Sequence, residues 1–188
     1  MKLSYCASVV LLAALGVACD NSTSPSGTGT MRVMLQDTPF SDSRAVLVTF
    51  SEVSVHRTGG AFQTLPFADG AASRTCDLKK LQGAQDVLGT GPMTQGHYTQ
   101  IRLTVSAATL YFDNVSVGPA CAPAIVAPAG ASAPVTVSSG TVILNREFDL
   151  EEDDVTTILL DFDGDGSIIQ TGQGTYRMTP VIAVVSVG

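Results

Sequence analysis

Gly96-His97-Tyr98-Thr99-Gln100-Ile101-Arg102-Leu103-Thr104-Val105-Ser106 alternates residue by residue. Thr99, Ile101, Leu103 and Val105 fall on one side and Tyr98, Gln100, Arg102 and Thr104 on the other, the period of two expected of a half-buried strand. The same period recurs on the N-terminal side. Thr30 to Gln36 places Met31, Val33 and Leu35 on one face and stops at Asp37-Thr38-Pro39. Arg44 to Arg57 begins with Val46, Val48 and Phe50 on one face and ends with Val53 and Val55 on the other, so a bulge is expected near Ser51-Glu52. Thr58-Gly59-Gly60 then reads as a hairpin turn into Ala61 to Leu65.

Further strands are expected at Thr109 to Asn114, Thr141 to Leu150, Val155 to Phe162 and Met178 to Val187. The last is apolar on both faces and so reads as central, with Pro180 near its start. Only Asp77 to Leu88 looks helical: Asp77 is a plausible N-cap, Leu78, Leu81 and Leu88 can share a face, and Gly83 interrupts. Gly118 to Ser139, rich in Ala, Pro, Gly and Ser, reads as a long excursion. Many short strands with Gly/Pro turns in 188 residues point to an all-β fold, a single β-sandwich with one short helix.

The N-terminus specifies an address. Met1 and Lys2 lead into the apolar run Ala7 to Val17, then Leu15-Gly16-Val17-Ala18-Cys19, then a Ser/Thr/Gly/Pro stretch. A positive start, an apolar core and small residues before the cleavage point make a signal peptide, and the run is shorter than the roughly 20 residues of a membrane span. The pattern resembles the bacterial lipobox, with Cys19 as the lipidated residue, although Gly16 stands where Leu is more usual. An ordinary secretory signal is the alternative. Residues 1–18 are thus the signal, 19–29 a flexible tether and 30–188 the folded domain. The expected location is the bacterial cell envelope, lipid-anchored, at the outer membrane or surface ahead of the inner membrane. A formal charge of −7 argues against a nucleic-acid partner and leaves the acyl chains to hold the membrane.

Of the four cysteines, Cys6 leaves with the signal and Cys19 carries lipid. Cys76 and Cys121 remain in an exported chain and are expected to pair, since oxidising compartments favour disulfides. A metal-binding or reactive pair would call for nearby histidine or C-x-x-C spacing, which neither has.

Four phrases, Val48 to Gly60, Gly96 to Leu103, Leu160-Asp161-Phe162-Asp163 and Met178-Thr179-Pro180-Val181-Ile182, occur in an order that resembles the bacterial lipoproteins of the domain-of-unknown-function 4382 family. The resemblance implies a secreted, lipid-anchored β-sandwich of the prealbumin or carbohydrate-binding-module kind. It supplies no reaction, substrate or catalytic residue.

Asp161-Phe162-Asp163-Gly164-Asp165-Gly166-Ser167-Ile168 is the sharpest chemical candidate. Alternate carboxylates followed by glycine match the first part of an EF-hand loop. The twelfth position is Gly172 rather than Glu, and strands rather than helices flank the loop. Asp161, Asp163 and Asp165 therefore make at most a calcium site of another kind, completed by Glu151, Glu152, Asp153 or Asp154. A hairpin turn of Asp and Gly is the simpler reading. His56 and His97 read as strand-edge residues, and Glu147, Asp149 and the acidic run after them as a solvated strand and turn. No G-x-S-x-G, H-E-x-x-H, Walker or dinucleotide motif occurs, so no enzyme is expected. With no Trp, a sugar face would rest on Tyr98, Tyr111 and Tyr176, with Tyr98 and Tyr111 facing outward. The expectation is a non-catalytic binding or structural role towards a glycan or envelope protein. A calcium-stabilised carbohydrate-binding module comes next, and a hydrolase third.

Overall fold

The structure, a computed structural model, describes residues 27–38 and 40–188; the signal segment, Cys19 and the tether up to residue 26 lie outside the described residues. In chain order the strands are β1 (Thr28–Thr38), β2 (Ala45–Arg57), β3 (Phe62–Thr64), β4 (Arg74–Asp77), β5 (Asp86–Thr94), β6 (Gly96–Tyr111) and β7 (Cys121–Ala122). They continue with β8 (Ser132–Val137), β9 (Thr141–Leu150), β10 (Val155–Asp163), β11 (Ile168–Gly172), β12 (Thr175–Met178) and β13 (Ile182–Val187). A short α1 (Gly164–Ser167) joins β10 to β11, and a 3-10 turn spans Leu78–Leu81.

These strands form two sheets packed as a sandwich. One runs β13-β10-β1-β5, with β1 and β10 parallel. The other runs β11-β12-β8-β6-β2-β4-β7, with β3 added to β2 and β9 to β6. Met31, Val33 and Leu35 of β1 and Ile158, Leu160 and Phe162 of β10 are buried against Val46, Val48, Phe50, Ile101, Leu103 and Val105 from the facing sheet. Phe50 and Phe162 meet edge to face across the layers, centroids 6.3 Å apart. The alternation seen in the sequence is therefore the alternation between core and solvent.

The expected bulge in β2 is present: the pairing with β6 slips between Phe50 and Glu52, which keeps Phe50 and Val53 both inward. Several expectations need correction. Thr109 is not the start of a separate strand, because β6 runs unbroken to Tyr111. Tyr98 does not face outward. A register shift between Tyr98 and Gln100 against β9 turns it inward, fully buried, stacked on Phe148 at 5.4 Å with its hydroxyl donating to the Thr94 carbonyl at 2.6 Å.

The helix expected over Asp77–Leu88 shrinks to the 3-10 turn. Asp77 caps it, accepting from the Lys79 amide, and Gly83 at φ +70° ends it. Leu88 belongs to β5, a strand hidden in the sequence by Gly89, Gly91 and Pro92. Those glycines allow a close crossing: a Cβ on Gly89 would lie 3.0 Å from the Pro66 carbonyl oxygen, and one on Gly91 2.8 Å from the Pro66 ring. The excursion Gly118–Ser139 likewise contains β7 and β8.

Met178–Val187 is not one central strand. Met178 closes β12 in one sheet, Pro180 lies in the crossing, and β13 is the edge of the other sheet, leaving Val185 half exposed. Asp163–Ser167 is likewise no hairpin turn, because α1 carries the chain from one sheet to the other. Gly164 fits there because a Cβ would press on Phe40 and on the Thr38 carbonyl.

Cys76 and Cys121 form a disulfide between facing positions of β4 and β7, their Cα atoms 4.1 Å apart. Arg74, buried beside it, pairs with Asp69 and Asp86 and donates to the Cys121 carbonyl at 3.2 Å. Asp86 in turn accepts from the Cys121 amide at 2.9 Å.

Candidate functional site

Strand direction sorts the functional candidates to the two ends of the sandwich. The Gln95 amide, just before β6, donates to the Gly27 carbonyl, and the Asp153 amide to that of Thr28. The chain therefore enters at the end where β6 begins. At the other end, the Arg44 amide donates to the Tyr111 carbonyl at 2.7 Å, bringing the segment after β1 to the finish of β6. Sixteen residues of β6 separate the two poles by up to about 50 Å at the usual rise per residue.

The far pole holds a surface cavity of about 540 Å³. The segment Ser41–Arg44 forms one side, Lys79 from the 3-10 turn another, and Phe112 and Val115, which follow β6, the third. Lys79 Nζ donates to the Phe40 carbonyl at 2.8 Å, which fixes the ammonium at the cavity. The half-buried Phe112 ring is backed by Tyr176, centroids 6.0 Å apart. Ser43 is buried, and its hydroxyl has no hydrogen-bond partner among the described residues. Beside the cavity, Val117 and Val126 are exposed at 71% and 75%.

Asp37 lies beneath this pole. It occupies the next inward position after Met31, Val33 and Leu35 and is only 6% exposed, with neither carboxylate oxygen hydrogen-bonded among the described residues. Burial pushes its pKa up to about 8; the negative charge of Asp161 adds to this, as do Asp163 and Asp165, while Lys79 opposes. In the sequence Asp37 stands at the end of a strand, in phase with the three inward apolar residues.

The three aspartates of the calcium candidate are brought to this pole but not to one point. Asp161 and Asp163 flank the inward Phe162, so they lie on the face of β10 opposite to it. Asp161 accepts from Thr38 Oγ1 at 2.9 Å and from Gln36 Nε2 at 3.3 Å. Asp163 caps α1 by accepting from the Gly166 amide at 2.8 Å, and Asp165 accepts from the Ser41 amide at 3.2 Å. Among the described residues no three His, Cys, Asp or Glu side chains form a group able to hold a metal ion. Glu151, Glu152, Asp153 and Asp154 lie exposed in the β9–β10 turn; the Asp153 amide bonds to Thr28, which places this turn at the chain-entry pole.

His56 Nδ1 lies 2.9 Å from Thr99 Oγ1. His97 has a carboxylate neighbour that sequence spacing did not show: Asp149, opposite it in the β6–β9 register, lies 2.8 Å from Nδ1. The pair is exposed at the chain-entry pole, and no serine or cysteine side chain bonds to His97 among the described residues. Tyr111 and Tyr176 are half buried.

Fold and site together define a two-sheet, disulfide-linked β-sandwich with an open cavity at one pole. Residues 28–180 match the family described as Domain of unknown function (DUF4382), and the chain belongs to that family. Searches of curated proteins and of solved structures return no match.

Proposed function

We propose that this chain is a non-catalytic binding module, held at a bacterial cell envelope by lipid on Cys19, whose far pole is the recognition surface. The observation that carries the reading is polarity: the described chain begins at one end of β6, and the cavity with Arg44, Lys79 and Phe112 lies at the other. An anchor attached upstream of Gly27 would hold the entry pole toward the membrane and direct the cavity away from it. The side-chain inventory supports the same reading, since the His97–Asp149 pair and the acidic turn lie at the entry pole, away from the cavity. Among the described residues, no helix is long and apolar enough to cross a membrane, so attachment through Cys19 would come from acyl chains.

The test is expression of the full chain in a bacterial host, followed by fractionation and mass analysis of the N-terminal peptide. The expected result is a diacylglyceryl-modified Cys19 in the membrane fraction, with Cys19→Ser releasing the protein. A wild-type chain recovered soluble and unmodified would overturn the anchoring.

A further inference from the structure

We propose that the far-pole cavity binds an oxyanion, a carboxylate or phosphate group borne on a sugar ring, with Arg44 and Lys79 holding the charge and Phe112 facing the ring. This deepens the binding-module reading and rests on it.

Charge is the first argument. On a chain of formal charge −7, the lining of this cavity holds Arg44 and Lys79 and one carboxylate, Asp42, while Asp165 at its margin is engaged by the Ser41 amide. Neither cation belongs to an ion pair among the described residues, and the Lys79 ammonium donates there to one neutral acceptor, the Phe40 carbonyl. An arginine beside a lysine presents forked donors and a compact charge, which suit carboxylate and phosphate oxygens.

The lining is the second argument. The exposed Ser41 stands at the rim, with the buried and unpartnered Ser43 beneath it and one half-buried aromatic ring beside it. Polar groups at the rim and an aromatic face in the wall suit a ring with hydroxyls on its edge and C–H bonds on its face, because the π face is the negative side of the aromatic quadrupole. Tyr176 behind Phe112 fixes the orientation of that ring.

Asp37 supplies the third. Its carboxyl is buried, and the charged groups acting on it are Lys79 from the 3-10 turn, Asp161 and Asp163 from β10 and Asp165 from α1. Its buried carboxyl keeps its proton until about pH 8, so at neutral pH it leaves the Lys79 charge free for an external anion. Once ionised, it becomes an internal counter-ion for Lys79, and the external anion is held less tightly.

The experiment is a titration of the full chain with glucuronate, glucose 6-phosphate and neutral glucose, followed by NMR shifts of the Arg44 and Phe112 amides. Saturable shifts are expected with at least one of the two acids and none with glucose; a response to only one acid supports the site and identifies its oxyanion. Arg44→Ala, an exposed change, should weaken binding at least tenfold. The affinity for glucuronate, whose own charge is constant in this range, should fall between pH 6.5 and pH 9 in the wild type and hold steady in Asp37→Asn. No saturable response to either acid, equal binding of glucose, or full affinity in Arg44→Ala would overturn the site. An equal fall with pH in Asp37→Asn would overturn the role given to Asp37. Lipidation of Cys19 is read independently by mass, so failure here and failure of the anchoring are distinguishable.

Discussion

The Ser167 hydroxyl accepts the Val181 amide at 2.8 Å, while the Ser167 carbonyl accepts the Thr179 amide at 2.9 Å. One residue thus ties together two of the places where the chain changes sheets, α1 after β10 and Thr179–Val181 before β13. Ser167 is only 3% exposed. Ser167→Ala removes the side-chain bond and is expected to cost about 1 kcal/mol, read as a lower urea midpoint with an unchanged slope. An unchanged midpoint would show that solvent replaces the bond without loss.

The Cys76–Cys121 bridge closes a separation of 45 residues, for which the chain-entropy relation gives about 4 kcal/mol of stabilisation. In a domain of this size that corresponds to a melting shift on the order of 10 °C. Reduction with dithiothreitol should produce the shift. The double variant Cys76→Ser, Cys121→Ser should reproduce it and then be insensitive to the reductant; a variant melting with the oxidised wild type would contradict the estimate.

The strands that were legible from sequence are those with one wet face and one buried face. β1, β9 and β10 keep their alternation along their buried stretches, and β2 keeps it on either side of its bulge. β5 was illegible because a backbone strap at Pro66 demands glycine where a strand would otherwise carry side chains. β13 misled because Val181 and Val185 are apolar yet exposed at a sheet edge, where burial no longer sets the pattern. The cavity was illegible for another reason: Arg44, Lys79 and Phe112 are far apart in sequence, and only the turn after β1 and the 3-10 turn bring them together. The capping role of Asp77 is visible in the sequence, but its second carboxylate oxygen, which accepts from the Ser116 hydroxyl at 2.6 Å, depends on a contact across the fold.

Asp163 has a structural task without any metal, because its carboxylate caps α1 through the Gly166 amide. Asp163→Ala is expected to cost about 1 kcal/mol, the usual loss of an N-cap. The cost should be the same in EDTA and in millimolar calcium chloride, and neither addition should move the wild-type melting temperature. A bound cation at 100 times its Kd would add about 2.7 kcal/mol, so a calcium-dependent rise absent from Asp163→Ala would reinstate a calcium site at this pole.

Asp37 makes stability depend on pH in a direction opposite to that of a salt-bridged aspartate. Its folded pKa is raised to about 8, by burial first and then by the charge of Asp161, whereas in the unfolded chain a carboxyl ionises near about 3.9. Between those values the unfolded chain has released a proton that the folded chain still holds, so stability declines as pH rises. The decline is at most about 1.4 kcal/mol per pH unit and stops above the folded pKa. Asp37→Asn removes this proton while leaving the other titrating groups in place. Urea midpoints for the two proteins should therefore diverge from pH 5 to about pH 8, with the variant more stable, and remain separated by a constant amount at higher pH. If the difference were the same at every pH, Asp37 would not be the buried acid responsible.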